Sequence, residues 1–290
     1  MKKIFFITGL LIICLQMVTV NAQIVRRISN ENMKKEPIDD VQFIVQYQTK
    51  MVTDTINPEK VSEESMILKV GSKSSEYYSY TRFISDSISK EQRKGQNPIN
   101  INGVSIRAIN QGSFPNSGIV NYQIYKNYPE GKVTTLDMVA LNSFRCEEEN
   151  EIPSWQLLND TMTILSYSCQ KAVCHFKGRD YEAWFTPEIP RSEGPWKLHG
   201  LPGLILKAED SQRHYTFECT GLINRSEKLL FGADGYEPIS RKNLNKIYER
   251  NATDPIGYAK SSSPDIGIMV TYNDNSLKNM PYNPIERENE

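Results

Sequence analysis

Residues 41–47, Val-Gln-Phe-Ile-Val-Gln-Tyr, place apolar and polar side chains in the alternation of a half-buried strand, and the pattern continues to Val52. This period of two recurs along the chain and limits the folds open to it. Residues 65–70 read as a second strand ended by Gly71, and 76–83 form an aromatic-rich, strand-like run. Residues 118–125 and 132–139 read as a hairpin across Pro129-Glu130-Gly131. A longer stretch opens at Trp155 and runs through 164–169 to Phe176. Lys177-Gly178-Arg179-Asp180 then turns it into 181–185. Residues 204–208 and 214–221 make a further pair around the polar residues 209–213, while 99–112 suggest short strands or a variable excursion.

A helical period shows twice. Ile84 and Ile88 lie four apart within 83–94, before a break at 95–98. Ser240 can cap a helix that carries Leu244, Ile247 and Tyr248 on one face. From about Thr253 the chain is rich in Pro, Ser and Asn and reads as an irregular tail. No internal repeat or linker divides it. The expected fold is mainly β: a single curved antiparallel sheet, half-barrel or barrel-like so as to manage its edges, with a few short helices, forming one domain over 41–290.

The first 22 residues have the order of a secretory signal. Lys2 and Lys3 precede an apolar run to about Val20, and Val20-Asn21-Ala22 supplies a small residue for cleavage. The unbroken apolar core, 10–15, is far shorter than the ~20 residues of a spanning helix. No other segment reaches that length, so no transmembrane segment is expected in the mature chain. Residues 23–40 are charged and aperiodic and read as a mobile leader. Export to the periplasm, the outer membrane or beyond is the expectation. The chain has 34 basic and 35 acidic residues, which leaves no basic field for nucleic acid. After Cys14 leaves with the signal, Cys146, Cys169, Cys174 and Cys219 remain. An even number in an oxidising compartment favours disulfides, with three connectivities open.

The segment 167–210 carries Tyr167-Ser168-Cys169-Gln170-Lys171-Ala172, Phe176-Lys177-Gly178-Arg179, and Ala183-Trp184-Phe185-Thr186-Pro187-Glu188-Ile189-Pro190. Gly194-Pro195-Trp196-Lys197 and Gly200-Leu201-Pro202-Gly203-Leu204-Ile205 follow. It resembles the GLPGLI family of exported proteins from Gram-negative bacteria. Met66-Ile67-Leu68-Lys69-Val70-Gly71 with Tyr77-Tyr78-Ser79, and Pro281-Tyr282-Asn283-Pro284-Ile285-Glu286, extend the resemblance over most of the chain. The family brings no established activity, substrate or catalytic residue.

Between 194 and 205, Gly-Pro, His-Gly and Pro-Gly steps punctuate a connection between two strands. The plain reading is a packed structural loop. The functional reading makes Trp184, Trp196, His199, Leu201 and Pro202 the lining of a cavity for an apolar ligand or peptide.

No nucleophile elbow, zincin helix or phosphate-binding glycine loop is present. His175, His199 and His214 are few for a hydrolase, and Cys174 and His175 face opposite ways on a strand. Cys169, Cys174, His175 and His199 have ligand types for a soft metal but match no zinc spacing. Asp54-Thr55-Ile56, Asp86-Ser87-Ile88 and Asp160-Thr161-Met162 resemble an O-glycosylation acceptor pattern of exported bacterial proteins. The favoured reading is an exported, non-enzymatic module that binds a peptide, a lipid or an envelope protein, without cofactor or metal. A hydrolase with an unfamiliar site and a metal-handling protein are the alternatives.

Overall fold

The computed structural model describes residues 34–81, 84, 99–101, 104–106, 120–140, 142–262 and 282–287. The expected signal segment and nearly all of the helix expected at 83–94 lie outside them. In chain order the strands are β1 (Glu36–Met51), β2 (Ser62–Gly71), β3 (Ser75–Ser79), β4 (Ile99–Ile101), β5 (Val104–Ile106), β6 (Gln123–Lys126) and β7 (Lys132–Val139). They continue as β8 (Asn142–Glu149), β9 (Gln156–Ile164), β10 (Tyr167–Phe176), β11 (Arg179–Thr186), β12 (Leu204–Asp210), β13 (Tyr215–Phe231) and β14 (Glu237–Ile239). Two helices follow, α1 (Arg241–Thr253) and α2 (Pro255–Ser262).

Twelve strands form one sheet in the order β14-β8-β7-β6-β3-β2-β1-β13-β12-β11-β10-β9, and β4 pairs with β5 separately. The sheet does not close, and its neighbours are antiparallel except β14, which runs parallel to β8. It is nevertheless curled. Strands β8 and β10 stand nine places apart in the order, ~43 Å in a flat sheet at ~4.8 Å per strand. Yet Lys177, just past β10, reaches Glu151, just past β8, at 2.8 Å. The two ends of the sheet therefore meet along a seam that no pairing among the described strands joins.

The concave face holds the main core. Val45 and Tyr47 of β1, Met66 and Leu68 of β2, Ile124 of β6, Phe176 of β10, Tyr181 and Phe185 of β11 and Phe217 of β13 all belong to it. The opposite face carries a second cluster of Val41, Ile44, Ile67, Tyr125, Leu136 and Leu229. β1 contributes to both because successive side chains of a strand point to opposite faces, and the bulge between Val41 and Phe43 sets Val41 on the same face as Ile44. Ser240 caps α1, its hydroxyl accepting from Asn243 N. Leu244 is buried against Val139, Phe144 and Cys146, with Ile247 and Tyr248 packed alongside.

Three sequence expectations change. β1 begins at Glu36, so residues 36–40 of the expected leader are paired to β13 from Phe231 onward. The stretch from Trp155 to Phe176 is a hairpin, β9 and β10, divided by Leu165 and Ser166. Both have positive φ (48° and 73°), as a tight hairpin turn requires, without the glycine that would advertise it. The tail from 253 begins with α2, and 282–287 are bound to the sheet.

Candidate functional site

The connection from β11 to β12, residues 187–203, fills the concave side. Its backbone closes on itself: Leu198 N donates to Pro195 O, Gly203 N to Leu201 O and Ile205 N to Glu193 O. Trp196 (φ 53°) turns inward and lies between Phe176 and Tyr181, at centroid distances of 5.9 and 6.0 Å. Leu198 and Leu201 join it in the main core. Two glycines are needed for this fit. A Cβ on Gly203 would stand 2.1 Å from Thr186 O, and one on Gly194 would stand 2.8 Å from both Leu198 O and Ile205 Cδ1.

Charged groups bind the loop to the seam. Lys126 of β6 is buried and donates to Gly194 O at 2.8 Å, with Glu193 at 2.5 Å. Lys197 pairs with Glu148 of β8 at 2.5 Å and with Glu286 at 2.7 Å. Arg241 of α1 reaches the same Glu148 oxygen at 2.7 Å and also donates to Thr135 of β7. Two cations and two carboxylates thus alternate within the seam. Burial opposes the Glu148 charge, but Lys197 and Arg241 outweigh it and hold the carboxyl down at about 2. Burial likewise opposes the Arg241 charge, and Glu286 and Glu148 keep that guanidinium protonated. Such a cluster fixes loop, sheet end, helix and tail in one arrangement.

The five expected ligand residues fall in different settings. Trp196, Leu201 and His199 are brought together beneath the sheet, each buried. Trp184 is half-buried on β11 with Lys171 Nζ 5.5 Å over its ring, and Pro202 is exposed. His199 Nδ1 lies 3.0 Å from Lys197 O, while its buried Nε2 has no hydrogen-bond partner among the described residues. Burial, then Lys126, lowers its affinity for a proton and keeps the ring neutral. His175 instead faces solvent at 2.7 Å from Asp180 of β11, and His214 lies in the β12–β13 turn, where its carbonyl accepts from Val52 N.

The disulfide expectation is corrected. Cys146, Cys169, Cys174 and Cys219 are all free and buried. Cys146 packs with Val139, Phe144 and Leu244, in a different cluster from the other three, so each thiol serves as a small core side chain. Burial raises all four; Cys219 is pushed up to about 11 and Cys174 to about 12, which makes them poor nucleophiles near neutrality. Among the described residues no three His, Cys, Asp or Glu side chains gather as a metal site would need. No described helix is long and apolar enough to cross a membrane. Thr55 and Thr161 of the acceptor triplets are exposed, and Ser87 lies outside the described residues.

Sequence reasoning did not single out Lys126, Glu148, Arg241 or Glu286. Charged residues in a sequence read as surface, and Lys126 meets Glu193, as Glu148, Arg241 and Glu286 meet one another and Lys197, only through segments distant in the chain. A different feature was also missed. β9 is the terminal strand of the open sheet, nine residues long without Pro or Lys. Along the margin from 152 to 165, Ile152, Leu157, Met162 and Leu165 are exposed.

Residues 175–207 match a protein family described as a protein of unknown function (Porph_ging). Among curated proteins nothing matches. Similar solved structures include two of PNGF-II. One of PNGF-II in a P21 space group has a TM-score of 0.47 at 13% identity, over 74% of this chain and 34% of that one. One of PNGF-II in a C2 space group has a TM-score of 0.46 at 14% identity, with the same coverage. The chain therefore spans about a third of the length of those structures.

Proposed function

We propose that this chain is an exported, non-enzymatic module that binds a partner protein, taking an extended segment of it as an additional strand along β9. The observation that carries this reading is the open edge. A terminal strand offers unpaired N–H and C=O groups, and natural sheets blunt such edges with Pro, Lys or very short strands. β9 uses none of these, and its only charge is Asp160. A bulge in β9 at 158–160, opposite Lys171, blunts its middle and leaves 161–164 regularly paired to β10.

The concave face supports the same reading from the other side. Trp196, Leu198 and Leu201 occupy the space that a carried lipid or small apolar ligand would need. Protonated thiols and the burial of His199 away from solvent count against a hydrolase.

The test places a photo-reactive side chain at Leu157 or at Lys242 of α1 in protein expressed in its native envelope. Cross-linking to one discrete protein from position 157, abolished by Met162→Pro and absent from 242, is expected. Equal cross-linking from both positions, or insensitivity to Met162→Pro, would sink the reading.

A further inference from the structure

Residues 282–287 sit in a built groove. Arg179, with a side chain 1% exposed, donates through Nη2 to Asn283 Oδ1 (2.7 Å) and Pro284 O (2.6 Å), and through Nε to Ile285 O (3.1 Å). Asp210, at 2.8 Å, and the Tyr215 ring, 4.8 Å away, hold the guanidinium in place. Tyr215 OH donates to Asn283 O at 2.6 Å, and Asn283 Nδ2 donates to Val52 O at 2.7 Å. Farther along, Glu286 meets Lys197, and Arg287 N donates to Lys177 O at 3.0 Å. Gly178 leaves room for that last step, since its Cβ would stand 2.4 Å from Arg287 O.

This is the chemistry of a peptide receptor. Three consecutive carbonyls are read by buried donors, one amide side chain is satisfied from both ends, and a carboxylate meets a cation. We infer that the groove is a receptor for the segment 282–287 and accepts it from a second copy of this chain, so that copies join by exchanging these segments. This goes beyond the β9 reading and does not depend on it.

The contacts are identical whichever copy supplies the segment, which is why exchange of a terminal element is an inexpensive route to a dimer. Nineteen residues separate Ser262 of α2 from Tyr282, a contour of up to ~60 Å. That length reaches a neighbouring molecule as well as the chain's own groove. Concentration then sets the balance between the two.

The test mixes two full-length variants. Gly178→Ala obstructs the groove but leaves the segment intact, and Asn283→Ala weakens the segment but leaves the groove intact. Light scattering is expected to show a doubled mass in the mixture, at a concentration where each variant alone is monomeric. A mixture that stays monomeric, or either variant dimerising alone to the same extent, overturns the inference.

A second measurement decides the matter should Gly178→Ala fail to fold. A fluorescein-labelled peptide of residues 280–290 is titrated into the Asn283→Ala chain. Saturable binding is expected, and its loss in Asn283→Ala/Arg179→Lys. No rise in anisotropy overturns the inference.

Discussion

The loop 187–203 and the margin 152–165 touch each other and are both rich in apolar side chains, yet they use them in opposite ways. Trp155 Nε1 donates to His199 O, and Ile152 packs against Gly200. On the loop, Trp196 and Leu201 are each 1% exposed. On the margin, Ile152 is 62%, Leu157 48% and Leu165 45% exposed. The loop closes the interior and is fixed there by the buried Lys126 and Lys197 and their carboxylate partners. The margin is where the sheet ends: among the described strands β9 pairs with β10 alone. Apolar content alone does not separate an interior plug from an exterior docking edge; the neighbours do.

The largest contrast is in stability. Trp196→Ala should lower the unfolding free energy by about 3–5 kcal/mol, because the ring leaves a cavity between Phe176 and Tyr181. Leu157→Ala should change it by no more than about 0.5 kcal/mol, as exposed positions do. Urea unfolding of the two variants measures both. Similar losses would mean that the margin is part of the core, and the distinction would collapse.

The second contrast is in pH dependence. Glu148→Gln leaves Lys197 and Arg241 short of a buried partner and should lower stability by about 3 kcal/mol near neutral pH. The native carboxyl is held down at about 2, below its ordinary value of 4.5, so the folded state releases this proton more readily than the unfolded chain does. Its contribution is therefore present in full above about pH 5 and is lost as pH falls from 4.5 through 2. The gap between wild type and Glu148→Gln should shrink across that window in urea melts, whereas the Leu157→Ala difference should not respond. A gap that stays constant down to pH 2 would mean that Glu148 does not anchor the loop through its charge.

These contrasts also mark what the sequence could reveal. Alternation identified β1 at 41–47, the turns at 129–131 and 177–180 identified β7, which is buried on both faces, and β11, and Ser240 with Leu244 identified α1. β8 was not read from Asn142–Glu149, since its three consecutive glutamates look like surface and only pairing with β7 makes it a strand. β13 runs ten residues beyond the expected 221 for the same reason, drawn out by β1. For the site, the glycines and Trp196 pointed to a constrained loop. Whether that loop lined a cavity or filled one depended on the curl of a twelve-strand sheet. Curl is a property of the closed set of contacts and leaves no local period in the chain.

The smallest contrast lies where the two regions meet. Gly203→Ala sets a methyl group 2.1 Å from the Thr186 carbonyl, an obstruction made of backbone, and should cost about 1–3 kcal/mol. Gly200→Ala meets Ile152 Cγ2 at 2.3 Å instead, the end of an exposed side chain that can swing away. What remains is the positive φ of 96°, which should cost roughly 1–2 kcal/mol. The two cases separate in a double variant. Adding Ile152→Ala to Gly200→Ala should recover whatever steric part there is, whereas adding it to Gly203→Ala should recover nothing. Equal recovery in both backgrounds would show that loop and margin relax as one body, and the boundary drawn at Gly200 would have to move inward to the β12 strand itself.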